Sequence, residues 1–188
     1  EARLTIRRIG SVPDNPNPDW ALETTLDVEW AHALAPEANL LLVYAASGRI
    51  GDLMQAVDLA AGMGADIVSM SWGVEERFGQ SALERIFRLY PSVSFVAAAG
   101  DQSAVPLYPS VSSQVLSTGG TSLILSSAGV RISETAWYGG GGGPSQFFSI
   151  PPAQELMEGI REKTGGMRGT PDVSFCADPD YGVAIYHS

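Results

Sequence analysis

Histidine and cysteine are nearly absent from this chain of 188 residues, which has two histidines, His32 and His187, and one cysteine, Cys176. A lone cysteine excludes a disulfide within the chain and leaves the redox compartment open. No His/Cys cluster has the spacing of a zinc site. Asp172, Asp178 and Asp180 do not follow a calcium-loop pattern, so turn roles are expected for them. Cations are scarce as well: 11 Lys and Arg stand against 21 Asp and Glu, a formal charge of −10. With no basic run anywhere, nucleic acid is not an expected partner. No apolar run approaches the roughly 18 residues of a transmembrane helix, so no membrane span is expected. The N-terminal "EARLTIRRIG" has neither a signal-peptide core nor an initiator Met, and the chain is expected to have been processed or cut from something longer.

What is present is ordinary globular material. The chain is 45% hydrophobic and 17% charged, with 21 glycines, which suits one compact domain over residues 1–188 with many tight turns. "LTIRRI" (4–9) reads as a strand and "SVPDNPNPDW" (11–20) as a loop. A helix follows and stops near Pro36. "NLLLVYAA" (39–46) and "ADIVSMSWG" (65–73) read as buried strands, separated by a helix over 50–64. A helix over 79–91 leads to strands at 93–101 and 113–120. Strands alternating with helices predict an α/β fold with a mostly parallel sheet. After that the pattern changes. Residues 121–137 read as a hairpin turning at Ser127–Gly129, and residues 170–188 as two short strands around a turn. The run Gly139–Gly143 lacks the Gly-Lys-Ser/Thr ending of a phosphate loop. Its aromatic flanks point to close backbone packing rather than to a linker.

The helix "ALETTLDVEWAHALAP" (21–36) carries the most informative chemistry. At 100° per residue, Leu22, Leu26, Trp30, Ala33 and Leu34 share one side, and Thr25, Glu29 and His32 the other. Glu23 and Asp27 fall within the apolar stripe, one turn apart. Like charges at that spacing destabilise a helix, and burying them costs more. A surface helix with both acids in water is the bland reading. The alternative is a site, because ligands bind at the carboxyl ends of parallel strands and two strands end suggestively. One ends in Ser71-Trp72-Gly73, the other in Gly100-Asp101. Those glycines and Asp101 would also suit plain turns and caps. His32 faces the polar side and His187 lies at the chain end, so both read as structural and a Ser-His-Asp triad has no support.

Six segments, "ETTLDVEWAHALAPEANLLLVYA", "IVSMSWG", "VAAAGD", "LSTGGTSL", "ETAWYGGGGGPSQFFSIPPAQ" and "GTPDVSFCADPDYGVAIY", occur in that order. Together they resemble the sedolisin family of serine-carboxyl peptidases, acid-working relatives of subtilisin. The resemblance implies a subtilisin-like, mostly parallel sheet with helices on both faces, apparently incomplete at both ends. It implies Glu23 as general base, Asp27 as the acid that hydrogen-bonds and orients it, and Asp101 as the oxyanion-hole residue. It implies Ser71, Trp72 and Gly73 as the edge that pairs with the backbone of a peptide or protein substrate. Secretion is a further implication. The chemistry requires acid: a base must be ionised, whereas a carboxyl that stabilises an oxyanion must be protonated to donate a hydrogen bond.

The family's serine lies in a Gly-Thr-Ser that opens an apolar helix beyond the region corresponding to "ADPDYGVAIY". Its calcium site would also lie beyond Ser188, so no cofactor or metal is expected in this chain. The family's first core strand would precede "LTIRRI". Gly120-Thr121-Ser122 spells the motif, but "LILSS" after it reads as a strand, and Ser145 and Ser188 have no better support. The chain alone is therefore expected to be inactive. A sheet without its first strand and last helix is expected to be marginal, or to associate with its missing segments or a second copy. The alternative reading is a non-catalytic module that keeps the peptide groove and binds without cleaving. A subtilisin-like protein using His32 fails on pattern.

Overall fold

The computed structural model describes residues 2–11 and 17–186. Strand β1 (Leu4–Arg8) and helix α1 (Pro18–Leu34) are followed by β2 (Leu40–Tyr44), α2 (Ile50–Gly62), β3 (Ile67–Met70) and β4 (Val74–Glu75). Next come α3 (Glu84–Leu89), β5 (Ser94–Ala98), β6 (Leu107–Tyr108), β7 (Val115–Leu125) and β8 (Arg131–Ala136). The chain continues through β9 (Gly143–Ser149), α4 (Pro152–Glu155), α5 (Ile160–Thr164), β10 (Met167–Thr170) and β11 (Val173–Cys176). The architecture is the expected α/β fold around a mostly parallel sheet. Strands β11, β7, β5 and β3 pair in that order, all parallel, and β8 pairs antiparallel with β7. Strands β1 and β2 form a separate parallel pair, and α2 packs against both β2 and β3.

Several elements differ from the sequence reading for physical reasons. Helix α1 starts at Pro18 rather than Ala21. The Asn17 side chain caps it, accepting from the N–H groups of Asp19 (2.8 Å) and Trp20 (3.3 Å), and Pro18 stands where a missing N–H is harmless. No residue of α1 is fully buried, and Trp20 and Leu22 remain largely exposed, so its apolar stripe only partly covers β2. The helix expected over 79–91 is a 3-10 turn at Gln80–Leu83 that passes into the short α3. The strand at 113–120 and the first hairpin arm are one strand, β7. It tolerates Gly119 and Gly120 mid-strand because Pro171 and Trp137 fill their side-chain space; a Cβ would sit 2.5 Å from Pro171 Cγ and 2.8 Å from Trp137 Cε3. Of the two strands expected over 170–188, only β11 forms. A 3-10 turn follows at Pro179–Tyr181, and the chain beyond is tied to α1 instead of a ladder. Trp30 Nε1 donates to Ala184 O (3.0 Å), and Tyr186 N donates to Glu29 Oε2 (2.9 Å). His187 and Ser188 lie outside the described residues.

The core fills one face of the sheet. Met54 and Val57 of α2 and Phe87 of α3 meet Met70, Phe95 and Val115 from the strands. Phe87 and Phe95 pack edge to face, with ring centroids 4.8 Å apart. The strands obey the period of two: in β3, Val68 and Met70 are buried while Ile67 and Ser69 are exposed. An ion pair between the buried Arg168 and the partly exposed Asp172 ties β10 to the strand region. Arg168, 2% exposed, donates through both terminal nitrogens to Asp172, which also accepts from Ser117 N (2.8 Å) and Gln154 Nε2 (3.1 Å). Burial alone would raise the Asp172 carboxyl, but these donors and the guanidinium charge hold it below its ordinary value.

Glu84 is the reverse case. It is 2% exposed; Ser112 Oγ donates to its Oε2 (2.8 Å), and its Oε1 has no partner among the described residues. The Tyr108 hydroxyl faces it without reaching hydrogen-bond geometry, and Arg88 is the nearby cation. Burial dominates and raises its proton affinity above the ordinary carboxyl value, although Ser112, Tyr108 and Arg88 oppose it.

Two stability predictions follow from these groups. Asp172→Asn leaves the Arg168 charge buried and unpaired, and urea denaturation should show a loss of about 3 kcal/mol. For Glu84 the fold prefers the protonated acid. Its contribution is complete below the ordinary glutamate range and is lost as pH rises through the raised folded value. Melting temperatures should therefore fall from pH 4 towards pH 7 by less in Glu84→Gln than in the parent, and an equal fall in both would refute the assignment.

Candidate active site

The carboxyl ends of β3, β5 and β11 and the middle of β7 open onto a cavity of about 370 Å³, lined among others by Ser69, Ser71, Ala98, Asp101 and Trp137. Sites in open α/β sheets form at such ends because the chain leaves each strand there and exposes loop residues together. Gly100 turns the chain out of β5 with φ +109, and Leu107 Cδ1 lies 2.5 Å from where a Cβ would stand, so only glycine fits. The turn delivers Asp101 to the exposed cavity rim.

Helix α1 brings Glu23 and Asp27 to the same place. Ser71, just past β3, donates its hydroxyl to Asp27 Oδ1 at 2.6 Å. Asp27 keeps an accessible edge although protein atoms crowd its carboxyl. Burial raises its proton affinity, and the Ser71 hydroxyl partly offsets this. Glu23 is raised too, first by burial, then by the charge of Asp27 and, more weakly, of Asp101, with Ser71 opposing. Glu23 thus feels both other acids. The neighbouring negative charges disfavour ionisation of Glu23, so its proton is held more tightly than in an isolated glutamate.

Ser71-Trp72-Gly73 leaves β3, which has β5 on one side only, and takes part in no described ladder. Its backbone is free to pair with an added strand. Trp72 packs against the core edge, and Leu107 crowds Gly73, where a Cβ would meet Leu107 Cδ1 at 2.9 Å. The structure therefore brings together Glu23, Asp27, Asp101 and the 71–73 segment. What sequence reasoning missed is the hydroxyl of Ser71, taken only as part of a backbone edge. Its partner lies 44 positions away, and no local pattern links them.

Other singled-out groups have structural partners. The Ser122 hydroxyl on β7 bonds to Asp178, which also caps the turn at 179–181 by accepting from Asp180 N. Ser145 is 3% exposed; it donates to Glu76 Oε1 at 2.5 Å and accepts from Phe147 N and Phe148 N. His32 is exposed in the last turn of α1. Among the described residues, no three His, Cys, Asp or Glu are placed to hold a metal ion, and no helix is long and apolar enough to cross a membrane.

Residues 14–165 match the Subtilase family, Peptidase S8. The chain is 34% identical over 190 residues to Kumamolisin of Bacillus sp. (strain MN-32), spanning 87% of this chain and 34% of that protein. It is 37% identical over 90 residues to Sedolisin of Pseudomonas sp. (strain 101), spanning 43% of this chain and 15% of that protein. The chain thus spans about a third or less of the length of these relatives. Among solved structures, the Pseudomonas sedolisin, a serine-carboxyl proteinase complexed with two molecules of pseudo-iodotyrostatin, superposes with a TM-score of 0.79 at 25% identity, over 97% of this chain and 60% of that one. Sphericase shares the fold with a TM-score of 0.53 at 18% identity, over 76% of this chain and 44% of that one. With a family match over most of its length and relatives of this kind, the chain belongs to the subtilase family, and within it to the sedolisin group.

Proposed function

We propose that this chain supplies the base and oxyanion side of an acid-acting serine-carboxyl endopeptidase. The observation that carries the reading is the meeting of Glu23, Asp27 and Asp101 beside Ser71: Ser71 and Asp101 line the cavity, the Ser71 hydroxyl holds Asp27, and burial, then the charges of both aspartates, raise Glu23. Glu23 accepts the proton of the attacking serine hydroxyl and returns it to the leaving amine. Asp27 acts as its charge partner, and Ser71 holds the Asp27 carboxyl in place. Asp101, protonated, donates to the oxyanion of the tetrahedral intermediate. An extended peptide or protein substrate lies along Ser71–Gly73. The nucleophile of this reading is a Gly-Thr-Ser serine downstream in the full-length protein, which acts outside the cell.

The pH dependence has a definite sign. A raised Glu23 gains its charge only above the ordinary glutamate range, so the rate rises with pH through that value. Peptide hydrolysis by the full-length protein should peak in acid, at or above the ordinary glutamate range. Undiminished cleavage at pH 8 would rule out these roles. Glu23→Gln keeps the shape and removes the base, so kcat should fall at least about 1,000-fold with KM nearly unchanged. A full-length protein that binds a peptide aldehyde yet cleaves nothing, with or without Glu23, would establish the non-catalytic binding module instead.

A further inference from the structure

We propose that Ser103 is a positioning residue for Asp101, clamping the loop that carries Asp101 onto the glycine-rich segment 138–141. The inference rests on Asp101 being the oxyanion donor. Ser103 and Ala104 have φ values of 31° and 58°, the only positive φ of non-glycine residues among those described. Left-handed backbone at two successive side-chain-bearing residues persists only where surrounding contacts impose it.

Those contacts all come from one strip. Ser103 Oγ donates to Tyr138 O (2.8 Å), Ser103 N to Gly139 O (3.1 Å), and Ala104 N to Gly140 O (3.4 Å). On the other side of Asp101, Gly141 N donates to Gly100 O (2.5 Å). Asp101 is therefore bracketed, held at the residue before it and two residues after it by the same run. The glycines make that approach possible. A Cβ on Gly141 would lie 2.7 Å from Gly100 O, and one on Gly139 would lie 2.6 Å from the Trp137 ring. Trp137 and Asp101 line the same cavity, so the strip also fixes the Asp101 carboxyl relative to a cavity wall. Ser103 is exposed, and water could satisfy its hydroxyl equally well. The bond to Tyr138 therefore does not serve to satisfy a buried group. What it does is set the direction of the loop.

The test uses the full-length protein and a chromogenic peptide at acidic pH. It compares Ser103→Ala, Ser103→Gly, Asp101→Ala and the Ser103→Ala/Asp101→Ala double variant in kcat, KM and melting temperature. Ser103→Ala should lower kcat about tenfold with KM little changed, because an oxyanion donor misplaced by a fraction of an ångström loses its effect. Ser103→Gly removes the hydroxyl but accepts the left-handed backbone, so it should melt no lower than the parent and still lose kcat as Ser103→Ala does. In the Asp101→Ala background, Ser103→Ala should cost at most about twofold, since the donor it positions is gone. Equal losses in both backgrounds, or a Ser103→Gly variant with full kcat, would overturn the clamp. If Asp101→Ala loses activity while Ser103→Ala does not, the clamp alone fails. If Asp101→Ala keeps full kcat, or the full-length protein cleaves no peptide, the oxyanion role fails and the clamp fails with it.

Discussion

The backbone hydrogen bond from Gly141 to Gly100 is the contact on which the candidate site depends. It joins the end of a central parallel strand to a segment some 40 residues further along, at a separation that admits no side chain on Gly141, while Leu107 excludes one on Gly100. Gly100 turns Asp101 out of the sheet, while the strip around Gly141 continues from Trp137, a wall of the same cavity. One main-chain contact thus ties an acid to the surface it must face. Main-chain donors and acceptors must find partners wherever water is excluded, and Gly141 is buried. The bond is correspondingly costly to lose.

Carboxyl groups are handled in opposite ways across the molecule. Asp172 is surrounded by donors and a guanidinium, and its charge is kept. Glu84 has one hydroxyl donor and an unpartnered oxygen, and its charge is resisted. Glu23 and Asp27 lie between these extremes: half-enclosed, with Asp27 bonded to Ser71 and Glu23 feeling the charges of Asp27 and Asp101. Donors within reach decide the matter, since removal from water penalises every ionised carboxyl alike. Through the raised groups outside and inside the site acid favours the fold, whereas the proposed chemistry needs Glu23 ionised and gains as pH rises through its raised value.

Much of the fold was legible. The parallel strands declared themselves through short apolar runs bounded by glycine and proline, and the hairpin at Ser127–Gly129 through its turn residues. Glu23 and Asp27 were legible because two acids one turn apart in an apolar stripe break the helical pattern. The start of α1 was misjudged because Asn17-Pro18 reads equally as turn or cap. The end of the chain was misread because its backbone partners are Trp30 and Glu29 on a distant helix. Arg168 gave no signal as a core residue, since a buried guanidinium is stable only with Asp172 and the carbonyls that surround it.

By itself the sequence determined the order of strands and helices, the glycines at which backbones can touch, and the presence of three acids able to meet at one sheet edge. These follow from periodicity and from side-chain size, which act locally. Only the tertiary structure decided that Ser71 holds Asp27, that Ser122 and Ser145 are committed to other carboxylates, and that Ser103 is pinned beside Asp101. Hydrogen bonds between residues far apart in the chain depend on where the sheet twists and which loops it brings together, and no local pattern encodes that geometry.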